Sequence, residues 1–234
     1  HTMMDYIQSP ESVAMAYNVP MWSEEHLRLL DRTFAFLAEM GCKTLFITAV
    51  RRTHFGNEHA MLRWIMDDEG NLTPDFTIVE KYLDAALKRL EKIPAVIFCC
   101  WEPAESAGHA DLTGTRILDK RALITVVDPQ TGELYPRTGP AWGTPEAKEF
   151  WRKAGEGMLG VLKKRGMEQS LLFGLIGDAR PSKQAMDDIT TGFANAQWAV
   201  HSHFRCERWQ GYKVGLGSAP VSYTHLTLPT IYSV

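Results

Sequence analysis

Four short apolar runs, separated by stretches of helical period, constrain this chain more than any other feature. Lys43 to Val50 (KTLFITAV), Ala95 to Trp101 (AVIFCCW), Ser170 to Ile176 (SLLFGLI) and Gln197 to Val200 are strand-sized. They are continuous rather than alternating, which predicts strands buried on both faces. Between them the apolar spacing changes to that of a helix. Ser23 to Met40 carries Leu27, Leu30, Phe34 and Leu37 on one face, with Ser23 as N-cap, Glu24 and Glu25 in the first turn and Gly41 at the stop. Pro74-Asp75 opens a second predicted helix, Phe76 to Lys92, with Ile78, Tyr82, Ala86 and Leu90 aligned. Thr144-Pro145-Glu146 starts a third, which runs to about Arg165. Ser182 caps a fourth that aligns Met186, Ile189 and Phe193.

The predicted order is therefore αβαβαβαβ, the pattern of a parallel sheet with crossover helices. A doubly wound sheet would carry a glycine-rich phosphate loop after an early strand, and none is present. A barrel places its chemistry at the carboxyl ends of its strands. Here those ends carry Arg51-Arg52, Trp101-Glu102, Asp178 and His201-Ser202-His203. The fold expected is α/β, an incomplete (β/α)8 TIM-type barrel with four or five of its strands visible. Two segments interrupt the alternation. Arg51 to Asn71 reads as a long loop with room for a short helix. Glu102 to Gly143 reads as an excursion in which ALITVV and ELY flank the turn Asp128-Pro-Gln-Thr-Gly132, an inserted β-hairpin.

Composition excludes several classes. With 45% apolar residues, the 234-residue chain has material for a core, and its net charge of −3 is spread without a basic stripe for nucleic acid. No apolar run approaches bilayer length. Cys42, Cys99, Cys100 and Cys206 have no zinc or redox spacing and read as small buried thiols, with the adjacent Cys99 and Cys100 on opposite strand faces. No cofactor is expected. The last segment, Pro220 to Val234, has no charged residue and resembles the in-frame translation of a transposase-type sequencing adapter. The division expected is 1–219 as a partial barrel domain and 220–234 as a non-native tail.

Several segments together resemble a group of bacterial glycoside hydrolases similar to glycoside hydrolase family 123. They are Ser12 to Trp22, Thr53 to Asn57, Asp75 to Asp84, Cys100 to Pro103, Lys164 to Met167, Gly177 to Ser182 and Trp198 to His203. The resemblance spans Ser12 to Gly215. It implies a (β/α)8 catalytic barrel that cleaves terminal β-linked N-acetylgalactosamine, and it is compatible with a secreted or periplasmic location. It also implies an adjacent Asp-Glu pair, in which Asp orients the substrate's acetamido nucleophile and Glu is the general acid. Glu102 stands at a strand end where such an acid would lie, but its predecessor is Trp101. The dipeptide in Asp67-Asp68-Glu69 stands in a hydrophilic stretch and reads as a solvated turn.

Glycoside hydrolysis usually uses two carboxyl groups on opposite sides of the scissile bond. Glu102 and Asp178, at the ends of different strands, are the expected pair, with a structural ion pair as the competing role. Arg51, His54, Asn57, Trp64, Trp101, His201 and His203 are the expected carbohydrate contacts: the tryptophans as platforms, the others as hydrogen-bonding groups. No metal is expected, although His201 and His203 with Asp178 would make a ligand set for a metal-dependent hydrolase. A non-catalytic carbohydrate-binding barrel is the third reading.

Overall fold

In the computed structural model of the chain, residues 7–102, 121–177, 179–202 and 207–218 are described. The tail assigned to 220–234, together with Asp178, His203 and Cys206, lies outside these residues.

The described elements, in chain order, are α1 (Pro10–Tyr17), α2 (Glu24–Glu39), β1 (Thr44–Thr48), β2 (Arg63–Met66), β3 (Leu72–Asp75), α3 (Thr77–Leu87), β4 (Ala95–Cys99), β5 (Leu123–Val127), β6 (Leu134–Thr138), α4 (Pro145–Lys163), β7 (Leu171–Ile176), α5 (Lys183–Ile189), β8 (Gln197–His201), β9 (Arg208–Trp209) and β10 (Tyr212–Ser218). All three helix caps expected from sequence form. Ser23, Thr144 and Ser182 each accept a backbone N–H three residues on, from His26, Ala147 and Ala185.

The principal sheet has the order β1-β4-β7-β8-β10-β9. Its first five strands pair in parallel, and their order across the sheet follows their order along the chain. A doubly wound sheet reverses this order partway; here the winding runs in one direction. The helices also keep to one face. Leu45, Ile47, Val96, Phe98, Phe173, Leu175 and Trp198 belong to the large apolar cluster that includes Leu30 and Phe34 of α2, Val79 and Leu83 of α3, Trp151 and Met158 of α4 and Met186 of α5. The opposite face forms a smaller cluster of Phe46, Phe55, Ile97, Cys99, Ile176 and Ala199, with no described helix in it. Cys99 and Cys100 fall in these two clusters, one on each face, as their adjacency in a strand requires.

The inner face is close-packed at Gly174. A Cβ there would lie 2.2 Å from Ile97 Cγ2 and 3.3 Å from the Ala199 carbonyl oxygen. The glycine lets β4, β7 and β8 keep their register while the Ile97 side chain crosses β7.

The segment Arg51 to Asn71 differs from expectation: it contains strand β2 and no helix, and Pro74-Asp75 ends β3 rather than opening α3. Short period-2 strands of four residues leave little periodic signal. Asp67 accepts the N–H groups of Glu69 and Asn71 and folds the β2–β3 turn, so Asp68-Glu69 is exposed, as read from the sequence. The hairpin expected around Asp128 forms as antiparallel β5–β6. The two hairpins join through parallel β2–β5 pairing into a second sheet, β3-β2-β5-β6. Helix α1 and strands β9 and β10 had no counterpart in the sequence reading.

Substituting Gly174→Ala should destabilise the chain by about 1–3 kcal/mol, the usual cost of overpacking a filled core. Thermal or urea denaturation checks this; an unchanged midpoint would show that the inner face is looser than described.

Candidate active site

The parallel ladder continues past the strand ends and sets the frame of the site. Ala49 N–H donates to the Cys99 carbonyl (2.9 Å), Cys100 N–H to Gly174 (3.2 Å) and Gly177 N–H to His201 (2.9 Å). The residues that follow β1, β4, β7 and β8 are thus held side by side at one edge of the sheet.

After β1 the chain makes a tight loop built on Asn57, which is almost fully buried. Its Oδ1 accepts the Thr53 N–H (3.0 Å) and the Thr53 hydroxyl (2.5 Å). Its Nδ2 donates to the carbonyls of Val50 (2.9 Å) and His59 (3.2 Å). Arg51 is buried too, with Nε on the Glu58 carbonyl (2.5 Å) and its guanidinium paired with the Glu58 carboxylate. Phe55 inserts into the inner-face cluster, its ring edge-on to Phe46 at 5.4 Å, and the Ser9 hydroxyl donates to its carbonyl. Asn57, expected as a carbohydrate contact, thus has its side-chain amide committed to the loop, and Arg51, expected likewise, is held there through Nε and Nη2, with Nη1 buried and unpartnered among the described residues. What the loop presents is His54, between the anchors Thr53 and Phe55.

His54 meets Glu102. Nδ1 of His54 lies 2.7 Å from Glu102 Oε1; the imidazole side chain is 47% exposed and the carboxyl side chain 1%. Burial pushes the Glu102 carboxyl above its ordinary pKa of 4.5, and contacts from the ring and backbone N–H of His54 oppose the rise. Burial, with a further push from Glu102, also raises the neighbouring Cys99 thiol. The third wall is Gly177, which closes β7 with φ +120°. A Cβ at this position would stand 2.9 Å from Cε1 and 3.4 Å from both nitrogens of the His54 ring. Only glycine provides both that backbone angle and the space the ring fills.

Arg180 is a site residue that the sequence reading did not select. It is buried, donating to the carbonyls of Gly177 (2.8 Å) and Ala179 (3.2 Å) and to the Ser202 hydroxyl (2.9 Å), so it ties the ends of β7 and β8 together. Its signal was faint: an arginine two residues after a strand-end acid reads first as a surface ion pair.

His201 ends β8, half-buried. Asp178 and His203 lie outside the described residues, so the spacing of the expected carboxylate pair is not defined, and of the alternative metal-ligand set only His201 is described. Among the described residues no three His, Cys, Asp or Glu side chains cluster as metal ligands. The two tryptophans correct the expectation of sugar platforms. Trp64 is fully buried and stacked on Phe150 at 3.8 Å. Trp101 is buried in the large cluster. Both indoles are buried, which leaves no exposed face on which a sugar ring could stack.

The fold and this edge define an α/β domain with a buried acid and a half-exposed imidazole at the carboxyl ends of parallel strands. More particularly, the chain belongs to the glycoside hydrolase 123 catalytic-domain family, whose model matches residues 8–192. The structure is similar to that of a family 123 glycoside hydrolase from Clostridium perfringens, studied for glycolipid glycan hydrolysis. The TM-score is 0.61 at 12% identity, over 87% of this chain and 35% of that one. At this identity the likeness concerns the fold. No curated protein is similar in sequence.

The raised Glu102 pKa carries a stability consequence. Ionisation costs more in the folded chain than in the unfolded one, so stability present below the ordinary Glu pKa is lost as pH rises through the raised folded value. Glu102→Gln cannot ionise and escapes that loss. Its melting temperature should gain on the parent's as pH is raised from below the ordinary Glu value of 4.5 to above it. A difference that stays constant with pH would mean that Glu102 ionises as readily folded as unfolded.

Proposed function

We propose that this domain is the strand-end part of a glycosidase active site, within a (β/α)8 barrel, and that Glu102 is its proton donor. The one-directional strand order and the one-sided helices support the barrel. Membership of the glycoside hydrolase 123 family supports glycosidic bond cleavage. The observation that carries the role of Glu102 is its burial beside His54. A carboxyl group that keeps its proton above the ordinary Glu range suits protonation of a departing sugar oxygen.

The substrate proposed is a carbohydrate with a β-linked N-acetylhexosamine, which rests on family membership. Neither strand-end acid stands in an Asp-Glu dipeptide: Trp101 precedes Glu102 and Ala179 follows Asp178. The dipeptide Asp68-Glu69 is in the exposed β2–β3 turn. If the acetamido group is the nucleophile, its orienting carboxylate must therefore come from a different element than the acid. Asp178, after β7, is the residue proposed for that role.

Kinetics of Glu102→Gln test the assignment. The expected loss of kcat is about 100-fold or more on glycosides with poor leaving groups, which need a proton, and much smaller on activated aryl glycosides. Equal losses on both, or no loss, would remove Glu102 from the role of acid.

A further inference from the structure

We infer that His54 is itself a catalytic residue, carrying the proton between Glu102 and the reacting glycosidic oxygen. This rests on the reading of Glu102 as the proton source. Both carboxyl oxygens of Glu102 are buried and neither has a partner in hydrogen-bond geometry among the described residues, so the 2.7 Å approach of His54 Nδ1 becomes a proton path only when the ring turns into line, and a glycosidic oxygen at the sheet edge cannot reach them without displacing what covers them. The imidazole 2.7 Å away spans the gap between that buried group and solvent, with almost half of its side chain exposed. Its placement is specified from three directions: Asn57 shapes the loop beneath it, Phe55 anchors its neighbour in the inner cluster, and Gly177 leaves room for the ring itself. A surface histidine without a task needs none of these.

The two ring nitrogens divide the work. Nδ1 faces the carboxyl, and Nε2 is the atom assigned to the substrate. As the C–O bond to the leaving sugar breaks, the substrate's acetamido oxygen bonds to the anomeric carbon, and the electron pair of the broken bond goes to the departing oxygen, which takes the proton from Nε2. Nδ1 then takes the proton from Glu102 Oε1, leaving a carboxylate and a neutral imidazole of the other tautomer. When water forms the new bond to the anomeric carbon, the bond to the acetamido oxygen breaks and its electron pair returns to the acetamido group, while Nε2 takes the water's proton and Nδ1 returns its own to Glu102. Protons balance over the cycle, and no other co-reactant is required.

Chemical rescue tests the relay. His54→Ala, compared with the parent chain by melting temperature to verify folding, should lose about 100-fold in kcat on poor-leaving-group substrates. Added imidazole, which fits the space opened beside Gly177, should restore at least roughly tenfold of that rate. Imidazole should not rescue Glu102→Gln, whose proton source is gone. If His54→Ala retains its rate, or loses it with no response to imidazole, the relay is wrong. Glu102 still stands as a direct acid in that case, provided Glu102→Gln keeps its dependence on leaving group. Should His54→Ala fail to fold, His54→Gln substitutes for it: an amide cannot pass a proton between two atoms in this way, so near-parental kcat in that variant would equally overturn the relay. The nitrogen NMR shifts of His54 supply a readout that needs no turnover. Glu102→Gln should shift Nδ1 more than Nε2, and unchanged nitrogens would contradict the pairing.

Discussion

Parallel pairing of β1 with β4, β4 with β7 and β7 with β8 fixes where everything else in the molecule can be. Parallel strands point their carboxyl ends the same way, so four segments distant in sequence emerge at one edge. Pairing beyond the strand ends, through Ala49 to Cys99 and Gly177 to His201, carries that registration into the loops. A side chain placed one residue after a strand then has a position set by backbone hydrogen bonds rather than by its own contacts. Glu102 and His54 meet because β1 and β4 are neighbours in register, and Gly177 closes the site because β7 is the next strand.

The core supports this edge unequally from its two sides. On the helical face, each fully buried large apolar side chain contributes about 1.5–3 kcal/mol, and Phe34, Phe98, Phe173, Trp151 and Trp198 all belong to this class. On the inner face the cluster is small, and Gly174 removes bulk so that Ile97 can cross β7. Phe55 joins the inner cluster from the loop after β1, so the loop that presents His54 is tied to the core at the residue next to it. A buried acid tolerates its desolvation only on so rigid a support; a looser loop would let water reach Glu102 and lower its pKa.

Much of this was legible in the sequence because the strands of a helix-covered parallel sheet advertise themselves as continuous apolar runs. KTLFITAV, AVIFCCW and SLLFGLI each became a strand, and the caps at Ser23, Thr144 and Ser182 marked their helices. Glu102 and His54 could be singled out by a simple rule, polar residues immediately after apolar runs. That rule says nothing about depth. Arg51 and Asn57 satisfy it equally, yet they turn inward to hold a loop. Trp64 looked like a platform because it follows the strand-end segment Thr53 to Asn57, but its strand β2 is a short insertion whose buried side lies on α4, against Phe150. Short strands such as β2, paired with β5, and β3, paired with β2, are set by contacts that local periodicity does not carry. Gly177 was invisible as a site residue for a similar reason: its contribution is an absent side chain.

Proton donation at this site depends on one property, that the carboxyl group of Glu102 holds its proton above the ordinary range while the imidazole of His54 stands against it. Carbon NMR of the Glu102 carboxyl, followed as pH is raised in the parent chain and assigned by its loss in Glu102→Gln, measures that property directly. The carboxyl resonance is predicted to remain in its protonated position through the ordinary Glu value of 4.5 and to move only above it. A resonance that titrates at or below that value would show an exposed, ionised carboxylate and would contradict the assignment of Glu102 as the proton source.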